Sequence, residues 1–502
     1  MYGLVACIGL FLAALLVWKR SSSFRYAPGP YRWPVAGNAF QVSTEQSWLQ
    51  FSAWGREFGD MVYLRIFSRS LLILNSTESI KDLFEKKSSN FSDRPRRVMG
   101  ELSGFGPSLV FKSGDESVRQ SRKLLHSELN FRAVTENHAG VIEENARRLC
   151  LSHIQRPEDF LKNIQDMAVS IIMRVAYGHV MSVGSEPDEL TNLAKEVMRN
   201  LSLVLTPNKY LVDGLPFLRF IPAFFPGAKF QNQAAQCRDT LSRFWNTPFE
   251  RVVEQMKSGN ALPSLISNGL KTNDSEADTD PEILKKAAGD MYGAGTDTNI
   301  SAISSFFLAM TLHRNIQQRA QEEILSVIGP YRLPLLADRP NLPFVNAIVQ
   351  EVFRWNPALP FGKLTGHSAR VSDVYRGFDI PAGTLVIANI WGLLHDEKWY
   401  PDPLTFNPSR HLSAHPPPVP TTFAFGWGRR SCPGYNLAES TVFMAVAMTL
   451  ATCDISPPVD TQGNDVLPSV KYTSGMIIHP MPFQCRIVPR SPEALELLLN
   501  TC

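Results

Sequence analysis

Three short stretches of this chain carry residues whose types and spacing suit chemistry. In FAFGWGRRSCPGYNLAES (423–440), Cys432 stands among glycines and beside two arginines, just ahead of an apolar helical pattern. Backbone N–H groups and the positive end of a helix dipole lower a thiol's pKa there and favour a soft anionic ligand. Gly426, Gly428 and Gly434 allow close backbone approach. The competing reading is a buried cysteine acting as a small hydrophobe.

In GAGTDTN (293–299), Asp297 and Thr298 place a carboxylate and a hydroxyl in the middle of a long helical pattern. Gly293 and Gly295 weaken the helix and Thr298 can turn its hydroxyl to the Ala294 carbonyl, which together open a polar notch. Tight helix packing around the glycines, with Asp297 facing solvent, is the alternative. In EVFRW, Glu351 and Arg354 share one helix face at i and i+3. Alone, such a pair reads as a surface ion pair of little worth.

Local signals place these residues on elements. Asp280-Pro281-Glu282 supplies an N-cap, a proline at N1 and a first-turn acid, so a helix is expected from there to about His313. A second helix carries Glu351, and a third begins near Gly434 and runs apolar on all sides through LAESTVFMAVAMTLAT. MVYLRIF and SLLILN read as paired strands, followed by a helix from Glu78 to about Lys87; DVYRGFDIPAGTLVIANIWGLLHD reads as a hairpin leading into a helix. Helices dominate to about residue 360. KTNDSEADTD (271–280) and SAHPPPVP (413–420) are surface loops.

Composition narrows the function classes. The chain has 502 residues, 44% of them hydrophobic, enough for a large core. With 50 basic and 47 acidic side chains, a net charge of +3 argues against a general nucleic-acid binder. Seven scattered cysteines without a C-x-x-C pair suggest neither a disulfide framework nor a zinc site. The N-terminal run MYGLVACIGLFLAALLVW lacks charge and precedes Lys19, Arg20, Arg25 and Arg32. Its 18 residues would span roughly 27 Å as a helix, and the charges after it favour a retained anchor over a cleaved signal. APGPYRWPVAGN (27–38) then forms a stiff extended connector. The sequons at Asn75, Asn90, Asn200 and Asn273 would be usable only with the body outside the cytosol. The expected organisation is an anchor (1–20), a proline-rich connector (21–38) and one catalytic domain (39–502), mainly α with small β-sheets behind one transmembrane helix.

Phe425, Gly428, Arg430, Cys432 and Gly434 fit F-x-x-G-x-R-x-C-x-G. With E-x-x-R at Glu351 and Arg354, FNPSR ending at Arg410, and A-G-x-D-T from Ala294 to Thr298 in the same order, the chain resembles the cytochrome P450 monooxygenases from about Pro28 to about Val488. FLRFIPAFFPG (217–227), RWNPALP and YPDPLTF look most like fungal secondary-metabolism members similar to O-methylsterigmatocystin oxidoreductase.

The resemblance implies the cytochrome P450 fold and a haem b cofactor with Cys432 as the axial ligand of the haem iron. Asp297 would relay protons and Thr298 would stabilise reduced oxygen on the distal side. Arg122, Arg430 and His367 would hold the haem propionates, while Glu351, Arg354 and Arg410 would brace the cysteine loop. Two departures stand out: Asn299 replaces a usual Thr or Ser, and Val118 a usual tryptophan. The implied reaction inserts one oxygen atom from O2 into a lipophilic small molecule, a terpenoid or polyketide-derived intermediate. Electrons would come from NADPH through a flavoprotein reductase, with cytochrome b5 as an allowed second donor. The implied location is the endoplasmic reticulum membrane, in contact with lipid, with the catalytic domain cytosolic. A haem-thiolate isomerase or dehydratase and a non-catalytic haem-binding protein are the alternatives; neither would need both Asp297 and Thr298.

Overall fold

The computed structural model describes residues 24–181, 189–206, 209–271, 280–361 and 366–500. The expected anchor at 1–20, nearly all of the 271–280 loop and the Asn273 sequon lie outside these residues. Contacts divide the chain into two compact units. The smaller holds the described residues up to Pro95, with those of Phe361–Leu393 and Trp427–Arg430; the larger holds the rest.

The smaller unit is built on a four-stranded sheet in the order β1-β2-β6-β3. Strands β1 (Met61–Ile66) and β2 (Arg69–Leu74) pair antiparallel where the alternation predicts them. β3 (His367–Ser368) and β6 (Leu385–Ala388) follow much later, and β6 joins β2 in parallel. The expected hairpin is β4 (Asp373–Tyr375) with β5 (Phe378–Ile380). β1 is an edge strand, and an unprotected edge invites foreign strands. The proline-rich segment covers it: the Tyr63 N–H donates to the Pro28 carbonyl at 2.9 Å, Gly37 bridges Ile66, and Arg32 lies over the Tyr26 and Tyr63 rings. The connector is docked, but it is not extended to its end as its prolines predict: it turns tightly at 33–37, where Trp33 and Gly37 exchange backbone hydrogen bonds and Val35 has φ 65°. The helix expected from Glu78 is one α-helical turn, Thr77–Ile80, running into a π-helical turn, Lys81–Lys86.

The larger unit is helical, with one two-stranded sheet, β7 (Cys453–Ser456) against β8 (Arg486–Pro489). Its helices include α1 (Glu116–Leu129), α2 (Ala139–Gln155), α3 (Phe160–Tyr177), α4 (Glu189–Leu205) and α5 (Lys229–Lys257). They also include α6 (Pro281–Leu312), α7 (Pro343–Trp355) and α8 (Tyr435–Thr452). α6 is capped as its sequence predicts, Asp280 accepting from the Glu282 N–H at 2.8 Å. Its 32 residues give roughly 48 Å of helix, which packs against α1, α3 and α8. The expected weakening at the glycines does not occur: the helix is regular throughout 281–312. Gly289 and Gly295 serve packing, since a Cβ would lie 2.6 Å from Trp245 and 2.7 Å from Ile172. α8 is buried on almost every side, matching its unbroken apolar composition.

Candidate active site

The cysteine loop precedes α8, whose N-cap is Gly434. The Cys432 N–H donates to the Phe425 carbonyl at 2.8 Å, and the Phe425 ring meets Phe353 and Tyr435 edge-on at 5.2 and 5.0 Å. Gly428 has φ +60°, and a Cβ there would strike the Phe84 carbonyl, so only glycine fits. A Cβ on Gly434 would sit 3.9 Å from Cys432 Sγ. The thiol does not become more acidic, as its position predicts. Burial raises its pKa more than the Gly434 N–H and the Arg122 charge lower it. Cys432 is an exposed residue, although protein is dense around its sulfur.

Arg122, on α1, donates from Nη2 to the Ser431 carbonyl at 2.7 Å. Burial lowers its pKa, Cys432 opposes that, and among the described residues no carboxylate pairs with it. A half-buried cation beside the cysteine, with no acid partner among the described residues, fits the iron and acidic groups of a haem. Val118 is 5% exposed in the same helix; it packs in the core, where a tryptophan would need extra room.

In the smaller unit, Arg430 Nε donates to the Ser92 carbonyl at 2.9 Å. His367 Nδ1 pairs with the Phe91 carbonyl, and its ring lies 4.0 Å from that of Phe84. Burial, then the charges of Arg94 and Arg430, push its pKa down to about 3, so the imidazole is neutral. Arg94, bonded to the Gly366 carbonyl, joins this cluster without a signal in the sequence.

Glu351 and Arg354 are both 0% exposed, which overturns the surface-pair reading. Arg354 forks onto the carboxylate with two bonds of 2.8 Å, and its remaining donors reach the carbonyls of Leu394, Pro403 and Thr405. Arg410 Nε and the Asn407 N–H also donate to Glu351, at 3.2 and 2.8 Å. His411, which sequence reasoning missed although it follows Arg410 directly, meets Glu351 Oε2 at 2.9 Å. Burial pushes the carboxyl pKa up, but His411 and Arg354 outweigh it and hold it at about 2.

The middle of α6 differs. Thr298 Oγ1 donates to the Ala294 carbonyl at 2.8 Å, as expected, and Asn299 Nδ2 does the same to Gly295 at 2.7 Å. Asn299 is buried, whereas Ala294 is exposed in the middle of a helix otherwise packed by its neighbours. Asp297 is 41% exposed and pairs with His479 Nε2 at 3.2 Å, a partner the sequence reading did not name. Ala294, Asp297 and Thr298 thus share one partly exposed face of α6, on which Asp297 and Thr298 are the polar groups.

Comparison with known proteins agrees with this geometry. Residues 27–486 match the family described as Cytochrome P450. Cytochrome P450 monooxygenase 208 of Postia placenta is 39% identical over 498 residues, covering 97% of this chain and 96% of the relative. Cytochrome P450 monooxygenase 45 of the same organism is 38% identical over 478 residues, covering 94% and 89%. Cytochrome P450 monooxygenase claR of Ampulloclitocybe clavipes is 34% identical over 495 residues, covering 98% and 91%.

Proposed function

Because this chain belongs to the cytochrome P450 family and is a haem-thiolate monooxygenase, we propose that it hydroxylates or epoxidises a lipophilic small molecule of fungal secondary metabolism. The middle of α6 carries this reading, because it places the partly exposed hydroxyl of Thr298 and carboxylate of Asp297 beside the exposed Ala294 in a largely buried helix. When bound, the haem supplies dioxygen activation. Cys432 would hold its iron and Arg122 would meet an acidic group of it; Arg430 and His367 are assigned to the propionates on the motif alone. The Thr298 hydroxyl, parked on the Ala294 carbonyl, can rotate to donate to a bound group. Asp297 and His479 would pass protons toward that hydroxyl from solvent. Glu351, Arg354 and Arg410 touch no reacting atom and hold the fold.

Electrons would come from NADPH through a flavoprotein reductase, with cytochrome b5 as a further donor. A terpenoid or polyketide-derived substrate suits the apolar residues of 98–111 and 201–206. Attachment to the endoplasmic reticulum, with the body cytosolic, draws support from the sequence of residues 1–20 and from 217–227, where Phe220 and Phe224 are 80% and 86% exposed. Asn200 is buried, and the Asn90 amide is bonded to Val371, so a glycan at either would break packing.

The test is reductase-supported turnover under 18O2 over a panel of fungal terpenes and polyketides. One labelled oxygen per product is expected. Product formed without NADPH would instead indicate an isomerase or dehydratase, and no NADPH-dependent product across the panel would favour a non-catalytic haem protein.

A further inference from the structure

One carboxylate on α6 is not used by this scheme. Asp290 lies two turns before Asp297, and at 100° per residue it shares a stripe with Ala294 and Asp297. Both of its oxygens are engaged by one loop: Ser108 Oγ donates to Oδ1 at 2.5 Å, and the Leu109 N–H to Oδ2 at 2.8 Å. Ser108 is buried and is itself the hub of that loop, since its carbonyl accepts from the N–H groups of Phe111 and Lys112. The side chains of Leu109, Val110 and Phe111 remain partly open. Four residues of helix rise separate Asp290 from Ala294, roughly 6 Å. The gripped loop therefore stands at one end of the accessible stripe.

We propose that Asp290 is a positioning residue that pins Ser108 and Leu109, fixing an apolar end wall of the substrate chamber and so setting which ligands fit. The inference rests on the reading of the α6 stripe as the reaction face. Burial raises the Asp290 pKa to about 6, against the pull of Leu109 and Ser108, its two donors. Tyr177, on α3, buries its hydroxyl without a hydrogen-bond partner and adds no donor to the carboxylate. Removing the acid leaves the Leu109 N–H and Ser108 hydroxyl buried without an acceptor.

The experiment compares full-length, haem-loaded Asp290→Leu, Asp290→Asn and Ser108→Ala proteins with wild type, by hydrogen exchange and by haem titration. Amide exchange across 108–112 should accelerate at least about tenfold in Asp290→Leu and by about threefold in Ser108→Ala, since charge-assisted bonds are lost. Asp290→Asn should stay near wild type, because its oxygen can accept from Leu109 while the Ser108 hydroxyl turns to accept from the amide. Titration with clotrimazole, which must fit the chamber, should weaken about tenfold in Asp290→Leu, and titration with imidazole, which needs little space, should stay within about twofold. Unchanged exchange across 108–112 overturns the clamp whatever the enzyme's activity, and equal weakening of both ligands overturns the wall. If Asp290→Leu does not fold, Ser108→Ala decides by the same two readouts.

Discussion

Glu351 and Asp297 are carboxylates in the same unit with opposite treatment. Glu351 is 0% exposed and meets two guanidiniums, an imidazole and a backbone N–H. Asp297 is 41% exposed and meets one histidine at 3.2 Å. A fully satisfied buried network has one arrangement and holds neighbouring segments in register. A half-exposed pair exchanges partners with water at little cost. The contrast teaches that charge braces the fold where every lone pair is used and stays available for chemistry where it is not.

The strongest way to break the contrast is Glu351→Ala. It strands Arg354 at zero exposure and should destabilise by roughly 3–5 kcal/mol, the cost of breaking a buried pair. Little folded haem protein should be recovered, measured by thermal denaturation and haem content. Near-normal yield would show that the network is dispensable.

Acid should act on the same site. The folded Glu351 pKa of about 2 lies below the ordinary 4.5, so its contribution is present above pH 4.5 and lost as pH falls toward 2. At most roughly 3 kcal/mol is involved. The facing groups are Arg354, Arg410 and His411. Urea midpoints between about pH 5.5 and pH 3.5 should fall more steeply for wild type than for Glu351→Gln.

On the open stripe the expected losses are catalytic. Thr298→Ala removes a hydroxyl bonded only to its own helix and should change stability by about 1 kcal/mol or less. NADPH use should continue, with electrons diverted to peroxide and coupling to product down about tenfold. Wild-type coupling would remove Thr298 from the oxygen side. The smallest effect should come from His479→Gln, which breaks a partly exposed pair worth about 0.5 kcal/mol. Its melting temperature should barely move, while the pH profile of coupling shifts.

How much was legible follows the range of the signal. The Asp280-Pro281-Glu282 start of α6, the Thr298 back-bond and the apolar α8 are local, and each is found where the pattern puts it. Glu351 and Arg354 looked like a surface pair because i, i+3 spacing carries no information on burial; contacts with the distant 394–411 segment decide that. The Asp290 clamp joins residues 182 positions apart, and the β2–β6 pairing is more remote still, so neither leaves a periodic trace. Cys432 was expected to be acidic from its helix-start position, but surrounding protein outweighs one N–H and one arginine.

The central proposal is that Cys432 would ligate the haem iron. The direct measurement is the absorption spectrum of the reduced carbonyl complex of wild type and Cys432→Ser, prepared side by side. Wild type should give the red-shifted Soret band of a thiolate-ligated haem and the variant should lose it together with all oxygen insertion; an unchanged thiolate band in Cys432→Ser would contradict the account.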